Sequence, residues 1–447
     1  MTCRWCRTAN RSSTLLVYTV IAVLTTFNLL GLFVIQRHRQ TESEIPTRLD
    51  KRRPLADKLT KKPEPTRTMQ LRDVINYTTL VMDKKYKKVD KSGNYIQQDF
   101  VVMGDEWPIT ARTSKICLAT QCSVDRLFML LEVGEAWSAP MSVALFVPGP
   151  DFQIATLYIS YLRLCSDTLR VNASFHLLYP KESPPKEVPK MLELVLLSCS
   201  RSRELLIKLL NSRDTSFQSW RNKVLYPQNH LRNLARNGCE TNYHYLTDVD
   251  IVPVPGLSED LDEFLRNLNK TTCAKCAFVV PTYEMRETSR MPTNKNELLS
   301  MVRRKECRPF HYKVFIYNQF ATNHSLWESL PETATLTAAY KVNNYEFFYE
   351  PFYVADNEVP PNDERFVGYG FTRNTQVFEM HVAGYEFWVL NPVFAVHRGI
   401  QNRRSRGAWR DKQNFVNRKK FVQFKADLLR KYGQTAKPRL QKGQHVQ

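Results

Sequence analysis

Two carboxylates one residue apart, Asp248 and Asp250, follow a short apolar run at residues 244–247 (HYLT) and precede Ile251-Val-Pro-Val-Pro-Gly256. At the end of a strand both can reach one divalent cation. Hard oxygen ligands suit Mn2+ or Mg2+, and such an ion neutralises a diphosphate. The spacing alone is weak, because Asp260-Leu-Asp262 repeats it inside a charged, helix-like segment. The plain alternative is an acidic loop after a core strand. His397 ends a strand-like run, residues 385–396 (YEFWVLNPVFAV), and is placed to complete a metal shell, although a lone histidine is more often structural.

Three further groupings could do chemistry. Residues 226–236 read YPQNHLRNLAR, and Arg232 and Arg236 lie four apart on one helical face with Asn229 and Asn233 close by. That face could bind the phosphates of a nucleotide or simply be a solvated helix surface. Residues 361–370 (PNDERFVGYG) join the acids Asp363 and Glu364 to a glycine-containing aromatic loop. Either acid could deprotonate an acceptor hydroxyl, and either could pair with Arg365 instead. Cys273-x-x-Cys276 has no partner pair at zinc-ribbon spacing, which favours a disulfide, whereas the pairing of Cys117 and Cys122 cannot be deduced from spacing.

Such residues need strands to carry them. Residues 115–120 (KICLAT), 142–147 (SVALFV), 174–179 (SFHLLY), 244–247 and 277–281 (AFVVP) read as buried strands. Helix-length segments near 124–136, 151–165 and 187–199 separate the first of them. Near-continuous apolar strands alternating with helices predict a mostly parallel central sheet covered on both faces, with ligands beyond the carboxyl ends of its strands. With 447 residues, 43% hydrophobic and 24% charged, the chain is long enough for one large α/β domain with appendages and is not a disordered tail.

The formal charge of +20 sits at the two ends: residues 36–99 carry net +7 and residues 397–447 net +13, while residues 100–396 carry net −3. The candidate catalytic region is therefore not basic. Residues 14–35 (TLLVYTVIAVLTTFNLLGLFVI) contain no charge and, at about 1.5 Å per residue, would span the hydrocarbon layer as a transmembrane signal anchor. No small-x-small cleavage site follows that run, against a removable signal peptide. The expected organisation is a cytoplasmic tail (1–13), the anchor (14–35), a Pro-rich, basic stem and linker (36–99), a luminal domain (100–432) and a basic tail (433–447). Four glycosylation sequons, at Asn76, Asn172, Asn269 and Asn323, and eight cysteines beyond the anchor fit a secretory lumen. No nucleic-acid partner is expected there.

Several long stretches, in order, are similar to one family. They lie at residues 278–284 (FVVPTYE), 290–298 (RMPTNKNEL), 308–312 (RPFHY), 350–355 (EPFYVA), 363–373 (DERFVGYGFTR) and 379–397, with LATQCSVDRL at 118–127 and LRNLAR at 231–236. Over residues 115–430 the chain resembles glycosyltransferase family 49, the beta-1,4-glucuronyltransferases, and the glucuronyltransferase domain of the bifunctional LARGE proteins. That resemblance implies a GT-A type nucleotide-sugar transferase fold in a Golgi membrane protein of single-pass type II orientation. It implies Mn2+-dependent, inverting transfer of glucuronic acid from UDP-glucuronate to a xylose-terminated glycan of the dystroglycan O-mannosyl type. It also implies Asp248, Asp250 and His397 as metal ligands, and Thr120, Arg232 and Asn233 as donor-binding residues. Arg373 is a candidate partner for the donor's carboxylate, and a complex with other Golgi glycosyltransferases is a further expectation. The rival readings are a β-1,3-N-acetylglucosaminyltransferase using UDP-N-acetylglucosamine, a non-catalytic glycan-binding or complex-forming relative, and a metal-dependent hydrolase. The last is disfavoured because no two-metal His/Asp cluster is visible.

Overall fold

The computed structural model describes residues 68–69, 74, 77–186, 197–269, 273–402, 407 and 409–433, all within one compact unit, Lys61–Gln447. Residues 14–35, the sequon at Asn76, Cys3, Cys6 and residues 187–196 lie outside the described residues. Among the described residues no helix is long and apolar enough to cross a membrane.

Sixteen strands are described: β1 Thr68–Met69, β2 Lys87–Val89, β3 Tyr95–Val102, β4 Ile116–Ser123, β5 Met141–Phe146, β6 Ala173–Pro180, β7 Leu197–Ser198, β8 Tyr243–Leu246, β9 Ile251–Pro253, β10 Cys276–Val279, β11 Thr282–Met285, β12 Cys307–Pro309, β13 Thr337–Lys341, β14 Tyr353–Asp356, β15 Glu386–Asn391 and β16 Ala395–Arg398. Ten form one sheet in the order β13-β15-β10-β14-β8-β4-β5-β6-β3-β2, and a second sheet has the order β12-β11-β16-β9. The five strands expected from apolar runs are all present. Strands β5 and β6 are buried at every position because both faces are covered, so they show no polar alternation.

The expectation of a mostly parallel sheet needs correction. The run β8-β4-β5-β6 is parallel, as is β10 with β15, but the other five neighbouring pairs are antiparallel. A strand covered on both faces reads as the same apolar run whichever way it points, so the pattern could not reveal direction. The boundary at residue 99 also moves. Residues 87–89 and 95–102 form the β2–β3 edge of the large sheet, and β2 is polar because it is exposed along its length, not because it belongs to a stem.

Six helices frame the site: α1 Leu130–Ala136, α2 Asp151–Cys165, α3 Gln228–Gly238, α4 Leu257–Arg266, α5 Arg373–Val382 and α6 Trp409–Tyr432. The helix expected near 124–136 is a 3-10 turn, Val124–Met129, leading into α1. Helix α3 is not the solvated surface its charges suggested: Arg232, Asn233 and Arg236 are all buried. It ends against β5 and β6 at Gly238, where a Cβ would lie 2.3 Å from His176 Nε2 and 2.5 Å from Ser142 Oγ, so only glycine permits this approach. A disulfide from Cys239 to Cys117 on β4 ties the same helix end to the sheet.

Cys165 pairs with Cys199 and Cys273 with Cys276, as expected for the latter, while Cys122 and Cys307 are buried free thiols. Helix α6, expected as part of the fold over 413–432, closes the core by burying Phe421, Phe424 and Leu428 among Phe347, Phe366, Phe371 and Phe378. Each such burial contributes about 1.5–3 kcal/mol, so the basic C-terminal segment is anchored by its apolar face.

Candidate active site

Asp248 and Asp250 occupy the turn between β8 and β9, at the carboxyl end of the parallel run. Backbone pairing brings His397 to them: β16 runs antiparallel to β9 with His397 opposite Ile251. His397 Nε2 faces Asp250 Oδ2 at 3.7 Å, while its Nδ1 bonds the carbonyl of Gly399 at 3.0 Å. A carbonyl only accepts, so Nδ1 carries a proton, and Nε2 is the nitrogen turned toward Asp250. Ligands about 2.1 Å from one cation stand about 3.0–4.2 Å apart, and histidine ligands commonly donate their other nitrogen to a carbonyl. The Asp250–His397 pair therefore fits a divalent cation. Protein packed around Asp250 raises its pKa, and His397 opposes that shift. A cation would relieve the unfavourable carboxylate.

Asp248 has different company. Its Oδ1 lies 2.8 Å from Arg373 Nη2 and 3.2 Å from Arg232 Nη2, and it accepts a hydrogen bond from Gln121 Nε2 at 3.2 Å. Burial raises its pKa, but the two guanidiniums outweigh that and hold it well below the carboxylate range. The bonds all fall on Oδ1. Arg373, the first residue of α5, is itself fixed over the ring of Phe352 at 4.4 Å. Residues far apart in sequence, Arg232 and Arg373, are thus brought together on Asp248.

Asn233 and Thr120 are not brought there. Asn233 donates to Asn362 O and Glu364 Oε1 at 2.8 and 2.9 Å, clamping the loop before α5. Thr120 is fully enclosed, and its hydroxyl has no partner among the described residues. Its neighbour Gln121 is the β4 residue that meets Asp248, and Tyr226 OH donates to Gln121 Oε1 in turn. Sequence reasoning missed both Gln121 and Tyr226. Strand alternation offers two faces, and nothing local says which one meets Asp248.

Asp363 is held by Arg365, whose Nη2 lies 2.6 Å from its Oδ2 and whose Nε lies 3.0 Å from both oxygens. Arg365 also binds Asp427 of α6 at 2.6 Å. Glu364 instead points toward His230, with 3.7 Å to Nε2, which lies 3.2 Å from Asp90. Asp90, His230 and Glu364 form a compact cluster, but Asp90 is already bonded by the Ser92 amide and hydroxyl and by the Tyr95 amide. The second Asp-x-Asp spacing plays no part at the site: Asp262 binds the Lys115 amide and Arg266.

The loop after Glu364 turns through Gly368 and Gly370, at φ +79° and +89°, conformations that favour glycine. Asn417 of α6 donates to the carbonyls of Val367, Tyr369 and Gly370, and Gln413 accepts from the Tyr369 amide. Helix α6 thereby sets the turn that delivers Arg373.

Two more residues complete the cleft. His311 is partly buried, with a pKa lowered to about 4 by desolvation and by His397, and it bonds Asn318 at 2.6 Å. Glu350 lies within the fields of Arg232 and Arg373 and accepts from Asn318 Nδ2 at 3.4 Å. Its stretch, EPFYVA, was conspicuous in sequence without a role. Among the sequons, Asn269 and Asn323 are exposed, whereas the amide nitrogen of Asn172 donates to Ser138 O at 2.7 Å.

A family model described as "Glycosyl-transferase for dystroglycan" matches residues 115–433. Beta-1,4-glucuronyltransferase 1 of Homo sapiens is 38% identical over 328 residues, which covers 72% of this chain and 77% of that protein. The Danio rerio protein of the same name is 32% identical over 329 residues, 72% of this chain and 75% of that one. Xylosyl- and glucuronyltransferase LARGE1 of Homo sapiens is 28% identical over 293 residues, 65% of this chain and 32% of that protein.

Proposed function

The chain belongs to the glycosyltransferase family described by that model, and from this premise we propose that it is a glucuronyltransferase acting in dystroglycan glycan synthesis. In the finer reading, glucuronic acid passes from UDP-glucuronate, with inversion, to the 4-hydroxyl of a β-linked xylose. The observation that carries this reading is the pairing of Asp250 with His397 in the turn that also carries Asp248, at the carboxyl end of the parallel strands, with two buried guanidiniums on Asp248.

The residues divide the work. Asp250 and His397 would hold Mn2+, and the bonds that fix Asp248, two residues before Asp250, all fall on its Oδ1. Bound there, the ion would supply charge neutralisation for a diphosphate leaving group. Arg232 and Arg373 orient Asp248 and place positive charge where an anionic donor must enter. Asp363 pairs with Arg365, and Glu364 faces His230 and accepts from Asn233. Inversion needs a single displacement and no covalent sugar–protein intermediate.

For location, we propose a Golgi membrane with the described unit in the lumen, supported by the uncharged stretch at 14–35, the exposed sequons at Asn269 and Asn323, and the disulfides. The deciding experiment incubates the purified full chain with Mn2+, a β-xyloside and single UDP-sugars. Product mass and linkage are then read for each donor. A β-1,4-linked glucuronate product formed only from UDP-glucuronate is expected. Transfer of N-acetylglucosamine instead would replace the donor assignment, and absence of transfer from every donor would leave a binding protein.

A further inference from the structure

We propose that Glu350 is the general base that takes the proton from the acceptor hydroxyl, an assignment that rests on the glycosyltransferase reading. The topology puts it in the right place. Strand β14 runs antiparallel to β8 with Tyr353 opposite Leu246, so the residues entering β14 stand beside those leaving β8. Glu350 lies three residues before the start of β14, and Asp248 two residues after the end of β8. Arg232 and Arg373, which both bind Asp248, also act electrostatically on Glu350.

The carboxylate is positioned but not neutralised. It accepts from the Asn374 amide in the first turn of α5 and from Asn318 Nδ2 at 3.4 Å, and Asn318 is fixed by His311. The other acids of the cleft each face a cationic or imidazole partner within 4 Å: Asp248 and Arg373, Asp250 and His397, Glu284 and Arg308, Asp363 and Arg365, Glu364 and His230. Glu350 makes no ion pair of that length with a described residue. Its side chain is partly open, and the neighbouring Asn374 amide group has no partner among the described residues, leaving polar capacity beside it. Burial raises the Glu350 pKa although Arg373 and Arg232 oppose it, which makes its carboxylate a better proton acceptor than a free glutamate's.

The step balances without a further reactant. As the acceptor oxygen bonds to the anomeric carbon, the bond from that carbon to the diphosphate oxygen breaks and its electron pair leaves on UDP. The hydroxyl proton passes to the Glu350 carboxylate.

A purely structural role, capping α5 through the Asn374 amide, predicts a different outcome for Glu350→Gln. Glutamine keeps an oxygen that can accept this bond but cannot act as the base. The full-length protein is first matched with the UDP-sugar it uses. Failure with UDP-glucuronate would retire the donor reading and leave the comparison of variants intact on the donor found. E350Q should lose at least about 100-fold in kcat, with UDP–Mn2+ affinity and melting temperature near those of the wild type. A kcat within threefold of wild type overturns the assignment. Should E350Q melt early, the wild-type pH profile decides. At saturating Mn2+, kcat should fall on the acid side with an apparent pKa above the ~4.3 of free glutamate. The groups facing Glu350 are Arg232 on α3, Arg373 and Asn374 on α5, and Asn318 on the segment after β12. A profile flat to pH 4.5 overturns the proposal.

Discussion

Arg373 Nη2 stands 2.8 Å from Asp248 Oδ1, so the first carboxylate of the Asp-x-Asp turn is oriented by a residue more than a hundred positions away in sequence. The pair fixes one oxygen of Asp248 and leaves the other for a ligand. Removing the guanidinium leaves a carboxylate short of a partner in a site where Arg232 alone must compensate. Arg373→Gln should cost about 3 kcal/mol of stability, the low end for a broken buried pair because Asp248 keeps 29% of its side chain exposed. It should also raise the KM for UDP-glucuronate at least tenfold. Chemical denaturation and donor titration check the two effects separately.

Asp250 carries the opposite balance. Surrounding protein raises its pKa above the usual carboxylate value, so the folded state binds that proton more tightly than the unfolded chain. Its ionised form therefore works against folding as pH rises through the folded pKa. In metal-free protein at pH 7, Asp250→Asn should melt no lower than the wild type, while Mn2+-dependent transfer is abolished. Turnover at the wild-type rate in this variant would remove Asp250 from the metal site.

Buried neutral histidines set an acid limit on the fold. The ring of His176 is fully enclosed and its Nδ1 accepts the Phe100 amide at 3.1 Å, so protonation would break that bond; desolvation lowers its pKa to about 4. His244 is lowered to about 3 and His324 to about 4 by the same cause. With folded pKa values below the unfolded 6.5, their contribution is intact above pH 6.5 and is lost as pH falls toward 4. Each can withdraw about 3 kcal/mol at full protonation. Urea midpoints measured from pH 7.5 to 4.5 should fall steeply below pH 6.5. A midpoint constant to pH 4.5 would contradict this.

Gly238 tests the packing of α3 on the sheet. A methyl group there meets His176 and Ser142 at 2.5 Å or less, and both neighbours are enclosed. Gly238→Ala should destabilise by about 1–3 kcal/mol, read by thermal melting. An unchanged melting temperature would mean that the helix end shifts freely despite the Cys117–Cys239 bond.

Asn417 is enclosed in α6 and donates to three carbonyls of the Gly368–Gly370 turn. Asn417→Leu leaves those carbonyls without this donor and should cost about 1–3 kcal/mol. Because the turn delivers Arg373, donor KM should rise as well. Lost stability without any change in KM would separate α6 from the site.

The sequence displayed the site unevenly. Asp248 and Asp250 were legible because a hydrophilic pair interrupts an apolar run, and His397 because it ends another. Arg373 was visible only as a cation near glycines, since its partner is reached through tertiary folding. Gln121 and Glu350 carried no local signal: one is a polar residue on a buried strand, the other a lone acid before proline. Strand direction was likewise hidden, which is why β14 and its neighbours depart from the expected parallel order. The β2–β3 edge was mistaken for stem because an exposed edge strand has a linker's composition.

The antiparallel entry of β14 has a consequence for engineering. Between β11 and Glu350 the chain makes a long excursion, residues 286–349, which carries His311 and Asn318 and is tied back to the fold by β12 pairing with β11 and β13 with β15, while the Asp-x-Asp turn and α3 lie outside that stretch. A segment exchanged between relatives at β11 and β14 must therefore preserve the pairing of β12 with β11 and of β13 with β15, and the bond from Lys295 to Asn391. Grafted excursions should alter which acceptor is modified while the nucleotide requirement travels with the recipient.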